Sequence, residues 1–421
     1  MNLVKTNGIH REALIWPFRS LRISSSVRQR LTIPLVLVMA AGILLWDYGN
    51  QANAQITILH SFGDGTVVND GARPVAGLVQ TPSGDFFGAT NSTVQNPNSN
   101  DGTAFQITPS GVLKVIYRFP TNSNLSTQEP LLYYYGQLIG TTLIGPGQGT
   151  TYGTVFRLKR SVITGKWGLQ FWHKFTGSAT DGGNPFGNVI LGSDGSFYGT
   201  TSLGGPNSGG TVYKLDPTTH HLTNVYSFAK NDYWGPEAAL VQGKDGNFYG
   251  STFSQGPTIP LVQMGAFFKL APNGQITVLP PSVNVALQAP LIEGSDGNFY
   301  GLSGEGDFLG SFNGVFSLTP SGTLNILQTF PVSPTGALVQ GPNGSLYGIT
   351  SGGGAVEFGT LFSISTDGKT FTVLHSFGDG TVPNDGLEPL GTLIVGMDGK
   401  LYGTTIGGGS KGLGTVFKFS P

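Results

Sequence analysis

Cysteine is absent from the 421 residues, so no disulfide staples the fold, and thiol chemistry and cysteine-ligated metals are excluded. Charge is scarce as well. Asp, Glu, Lys and Arg make up 11% of the chain, against about 25% in an ordinary soluble domain. The formal net charge of −1 gives no general attraction to nucleic acid or anionic lipid. No stretch keeps a 3.6-residue apolar period long enough for a helix. His-Glu-x-x-His and phosphate-loop patterns are missing too.

What is present is glycine, 66 residues of it, about twice the usual share. With 38% apolar residues the chain has enough for a core, and the combination describes an all-β protein rich in turns. The N-terminus is different. Arg11, Arg19, Arg22, Arg28 and Arg30 precede the apolar run Leu31–Trp46, and a polar stretch ends in Ala52-Asn53-Ala54. The run has sixteen residues and contains Pro34, whereas crossing a bilayer takes about 20. Residues 1–54 therefore read as a signal peptide cleaved between Ala54 and Gln55, or failing that as an N-terminal anchor. The expectation is an exported protein, extracellular, periplasmic or at the cell surface. It would touch a membrane only through that segment.

The remainder is repetitive. A segment of the type D-G-x-F-Y-G-T-T recurs seven times, with shared glycines at Gly88, Gly140, Gly199, Gly250, Gly301, Gly348 and Gly403. Each copy is followed by a second signature, such as GTAFQI, GTVYKL or GTVFKF. In the third copy the strands are predicted at Asn188–Gly192 (A), Phe197–Thr201 (B), Thr211–Leu215 (C) and Leu222–Phe228 (D). Seven four-stranded units of about 50 residues describe a seven-bladed β-propeller. The last copy stops at Pro421 without a strand D, and the chain after Ala54 begins with Ile56–Phe62, a strand D alone. The two should pair and close the ring, making residues 55–421 one propeller domain. This explains why ITILHSFGDGTVVNDG (56–71) and FTVLHSFGDGTVPNDG (371–386) share thirteen of sixteen positions. They are equivalent segments of neighbouring blades.

A–B and C–D connections are tight turns on one face, whereas the long, irregular B–C and D–A connections share the other. Function is expected on the loop-rich face. Tyr233 and Trp234, beside Asp232 and Glu237, form a candidate sugar platform, with packing against the next blade as the plainer reading. Asp64, Asn69, Asp70, Asp379, Asn384 and Asp385 supply oxygens suited to Ca²⁺, yet Asp-Gly and Asn-Asp-Gly are also ordinary turn formers. Apart from that calcium reading no cofactor is expected. His60, His173 and His375 fall at one position of strand D in three blades, too far apart for one ion, and read as packing residues. His220 and His221, in a C–D turn, read as solvated. Trp167 and Trp172 read as core. No catalytic set emerges.

The units DGNFYGSTFSQG, DGSFYGTTSLGG…GTVYKL and LHSFGDGTVPNDG…PLGTLIVGMDGKLYGTT resemble the GloVer tandem repeat of exported bacterial "choice-of-anchor" proteins, over roughly residues 56–421. That resemblance implies export and no established activity. The resulting expectation is a monomeric, non-enzymatic binding module for a glycan, envelope polymer or protein. A propeller hydrolase, lyase or lactonase with a central-pocket site is the alternative.

Overall fold

The computed structural model describes residues 55–97, 101–120, 129–145, 152–229, 233–252, 254–255, 265–279, 289–304 and 312–421. It is a seven-bladed β-propeller, each blade an antiparallel sheet whose strands follow one another as A, B, C and D. Blade three comprises Ile190–Leu191, Phe197–Thr201, Ser208–Leu215 and Leu222–Ala229. Strand B falls where the sequence puts it, and strand C begins three residues earlier. Strand A keeps only two of its five expected residues. Asn188 and Val189 precede it, where the chain turns inward, and Gly192 already belongs to the A–B turn. In blade seven, Thr415–Ser420 pairs on one side with Leu401–Gly408 and on the other with the N-terminal strand Gln55–Ser61. The register runs from Gln55 opposite Ser420 to Ser61 opposite Thr415. The first strand is the clasp of the ring.

The two repeated signatures meet inside every blade. Each repeat glycine of strand B lies directly opposite an aromatic of strand C: Gly88–Phe105, Gly140–Phe156, Gly199–Tyr213, Gly250–Phe268, Gly301–Phe316, Gly348–Phe362 and Gly403–Phe417. All seven aromatics are buried. A β-carbon on the glycine would fall inside van der Waals contact, 2.6 Å from the ring at Gly140 and Gly250. A cross-strand aromatic thus covers the glycine and fills its missing volume. At the far end of the same strands, five blades bury a Thr–Thr hydrogen bond: Thr90–Thr103, Thr142–Thr154, Thr201–Thr211, Thr350–Thr360 and Thr405–Thr415. This satisfies hydroxyls that would otherwise be buried at a cost.

The Asp of the A–B turn has its own task. Asp194, Asp245, Asp296 and Asp398 each accept a hydrogen bond from the Tyr four residues on, at 2.7–2.9 Å. Those rings stack on the next blade, Tyr198 on Phe248, Tyr249 on Phe299 and Tyr402 on Phe86, with centroids 4.1–4.2 Å apart. A side chain of strand A also accepts from a turn amide of the preceding blade: Gln242 from Ser193, Glu293 from Lys244, Gln340 from Ser295, and, across the closure, Gln80 from Met397.

Two outcomes test this account. Gly301→Ala should destabilise the fold by about 1–3 kcal/mol, the usual cost of overpacking. Gly168→Ala, on an exposed strand position with nothing within 4 Å, should change stability by less than about 0.5 kcal/mol; equal effects in denaturant titration would contradict the glycine–aromatic contact. Deleting Gln55–Ser61 exposes the edge of Thr415–Ser420 and should lower the melting temperature and produce aggregates on size exclusion. A monomer with unchanged melting temperature would contradict the closure.

Candidate functional site

Each strand A is preceded by a buried apolar residue, or in blade six contains it; in order these are Leu78, Leu131, Val189, Leu240, Leu291, Leu338 and Leu393. In six blades the leucine also packs under the repeat glycine. These residues align the D–A connections where they reach the axis. Two positions earlier the blades carry Ala76, Glu129, Gly187, Ala238, Ala289, Gly336 and Gly391. Space explains the three glycines among the six small residues. A β-carbon on Gly391 would press on the Ala76 carbonyl at 2.8 Å, one on Gly336 on Thr392 at 3.1 Å, and one on Gly187 on the Ala239 Cα at 2.5 Å. Only small residues let seven inner segments crowd together. Blade two departs from the pattern with a glutamate.

A cavity of about 510 Å³ lies at this loop-rich end of the axis, walled by inner segments of blades one, two, five, six and seven. Its described lining is mostly glycine, alanine, proline, valine and leucine, with Asn91, Glu129, Ser333, Thr335 and Thr392 as the polar side chains. Thr335 donates to the Pro389 carbonyl at 3.0 Å, and Thr392 accepts from the Ala337 amide at 3.2 Å. Glu129 is half-buried, open to the cavity on one side and enclosed by the blades elsewhere. Burial pushes its carboxyl up to about 7, because the charged form loses hydration that no neighbour replaces. Among the described residues no hydrogen bond or ion pair reaches it. Two amide oxygens nearby, Asn91 Oδ1 and Asn188 Oδ1, are buried without a partner. The Asn188 amide nitrogen is used, donating to the carbonyl of Pro130 beside Glu129.

The residues singled out in the sequence are spread over the molecule. Glu237 occupies the position three before the buried leucine of blade four; it is half-buried, and burial raises its pKa. Tyr233 and Trp234 form a short ladder with Ser254–Gln255, and Asp232 lies outside the described residues, as does Ala54.

The two GDGTV loops are held by side chains rather than left open. His60 donates to Asp70 at 2.7 Å and His375 to Asp385 at 2.9 Å. The same carboxylates accept the amides of Gly63 and Gly378. Blade two repeats this with His173 and Asp181 at 3.2 Å. The histidines therefore pin the D–A loops, a role beyond the packing expected of them, although His60 and His375 also meet Phe62 and Phe377 edge-on at 5.0 Å. The equal ten-residue spacing from His to Asp in the two near-identical loops was the available signal. Asp64 and Asp379 accept from their own Thr66 and Thr381, and Asn69 and Asn384 take positive φ in the turn. Asp64 and Asn384 do line one groove of about 560 Å³ at the rim. Among the described residues no group of three or more His, Asp or Glu could hold a metal ion.

His220 is a correction. It stacks on Trp172 of the neighbouring blade, with centroids 4.8 Å apart and planes 23° apart, and only His221 is exposed. Burial and the nearby Arg157 lower the His220 pKa. Trp172 is buried and Trp167 half-buried. Glu129 itself was not among the sequence-selected carboxylates. The signal for it was a glutamate at a position that is Ala or Gly in the other six repeats.

The chain belongs to the family described as the Gloeobacter/Verrucomicrobia repeat, whose pattern matches residues 128–337 and 286–421. No curated protein matches it. Among solved structures, a catalytically inactive variant of virginiamycin B lyase from Staphylococcus aureus with quinupristin is similar at 12% identity and a TM-score of 0.56, over 87% of this chain and 99% of that one. The selenomethionine-substituted lyase gives 12% and 0.53 with the same coverage. TolB from Acinetobacter baumannii gives 18% and 0.40, over 72% of this chain and 63% of that one. At these identities the likeness shows the fold.

A carboxyl raised from 4.5 to about 7 costs stability as pH rises through that window, because the unfolded chain ionises first. Glu129→Gln should leave the melting temperature unchanged at pH 4. At pH 8, above both values, it should stabilise the protein by about 1–3 kcal/mol. A difference that does not vary between pH 4 and pH 8 would contradict the buried, unpaired carboxyl.

Proposed function

We propose that this member of the Gloeobacter/Verrucomicrobia repeat family is an exported, non-enzymatic binding module that takes a small ligand, or the end of a glycan or peptide chain, into the cavity at the loop-rich end of its axis. The observation that carries the reading is the cavity itself. At about 510 Å³ it falls within the range of small-molecule sites, about 300–1,000 Å³, and it has their mixture of apolar wall and few polar groups. The N-terminal segment supports export, and the looped face supports variable recognition on a rigid frame.

The hydrolase or lyase alternative draws on one observation, a carboxyl near pH 7 in a cavity, the tuning that general acid–base catalysis uses. Hydrolysis or elimination also needs a second group to activate water or complete the proton transfer. Among the described lining residues there is no histidine and no second carboxyl. Binding is the reading that the lining supports.

Ala289 is partly exposed in the cavity wall, and Ala289→Phe should fill the space. A glycan and peptide-terminus array probed with the purified protein should give binders that lose at least tenfold in affinity in that variant. An array without binders, or binders indifferent to Ala289→Phe, would overturn the proposal.

A further inference from the structure

We propose that the ligand taken by the central cavity is a compact cationic amine, such as an amino sugar or an alkylammonium head, with its ammonium seated against Glu129. The inference rests on the reading of the cavity as a ligand site and adds the chemistry of that ligand. Three observations carry it. Glu129 is the single ionisable side chain among the described lining residues, and no Lys, Arg or His shares the wall with it. It stands where the other six blades have Ala or Gly, so the ring presents one acid in a surround of small side chains and backbone. Among the described residues no hydrogen bond or ion pair reaches its carboxyl.

Several polar neighbours bear on that last point. The Thr335 hydroxyl hydrogen and the Thr392 oxygen are already used. Asn188 spends its amide nitrogen on the Pro130 carbonyl and keeps Oδ1 unpartnered. Asn91 Oδ1, after strand B of blade one, is unpartnered too. A buried carboxylate is costly unless a cation or several donors meet it. An ammonium brings a positive charge and three donors, which answers the carboxylate. An anionic ligand would meet the acid with no compensating cation among the described lining residues. A neutral polyol brings donors without the charge. A cavity of about 510 Å³ has room for one sugar ring or an alkyl chain of similar bulk, with the proline and leucine walls covering the apolar part.

Isothermal titration of the full-length protein at pH 7.5 with glucosamine against glucose, and with butylamine against butanol, tests the proposal. At least one amine should bind tenfold or more tightly than its neutral counterpart, and Glu129→Gln should abolish that preference. Which pair shows it distinguishes a sugar-borne from an alkyl-borne ammonium. Ala289→Phe, which keeps the acid and fills the space, should remove binding altogether and serves if Glu129→Gln fails to fold. Amines that bind no better than their neutral counterparts, or a preference that survives Glu129→Gln, would overturn the amine assignment. Glucose or butanol binding equally well, and lost in Ala289→Phe, would overturn it while leaving the cavity as the binding site.

Discussion

The contact on which the structure depends is an aromatic ring of strand C lying over a glycine of strand B, made once per blade, seven times around the ring. It explains the sequence economically. The tyrosine-glycine of one signature and the phenylalanine of the other are two halves of a single packing unit, so they recur together. Because glycine has no side chain, the ring can sit flat against the backbone, and the leucine that precedes strand A closes the unit from the inner side. Large aromatic surfaces buried this way supply much of the hydrophobic stabilisation, which a charge-poor, disulfide-free chain has to find in its core.

The same unit sets the inner radius. With that leucine fixed under the glycine, the two residues before it are driven toward the axis, where seven segments meet. Glycine is required in three of those segments by crowding, as the Gly391–Ala76 and Gly187–Ala239 approaches make plain. A glutamate in this ring is therefore a costly exception. It is tolerated because the cavity opens beside it, and the same opening leaves its carboxyl without a partner. The function proposed for the cavity thus follows from the geometry of the repeat and from the one place where the repeat is broken.

Most of the fold was legible in the sequence, because repetition turns weak local signals into a strong one. Seven copies of paired signatures, with complementary half-blades at the two ends, leave little choice of architecture, and Gln55–Ser61 pairs where that complementarity requires. Strand A was the exception. Its five expected residues in blade three shrink to Ile190–Leu191, since Asn188 and Val189 are spent on packing before it and Gly192 on the turn after it. The site was much less legible. The cavity at Glu129 depends on three-dimensional convergence of segments from five blades, and no local motif marks it. His220 was misjudged for a related reason, as the ring that covers it belongs to Trp172 of the previous blade. The His–Asp clasps lay in between. Their spacing was visible, but turn-forming Asp-Gly and Asn-Asp-Gly steps explained the same residues equally well.

The central claim is that Glu129 stands as an unpaired acid in the cavity at the axis. The most direct measurement is a carbon-13 NMR titration of the protein with labelled glutamate side-chain carboxyls, the Glu129 resonance being assigned by its disappearance in Glu129→Gln. The account predicts that this carboxyl titrates at about 7, well above the ordinary glutamate range of about 4.2. A Glu129 resonance that titrates with the exposed glutamates, near pH 4, would contradict it.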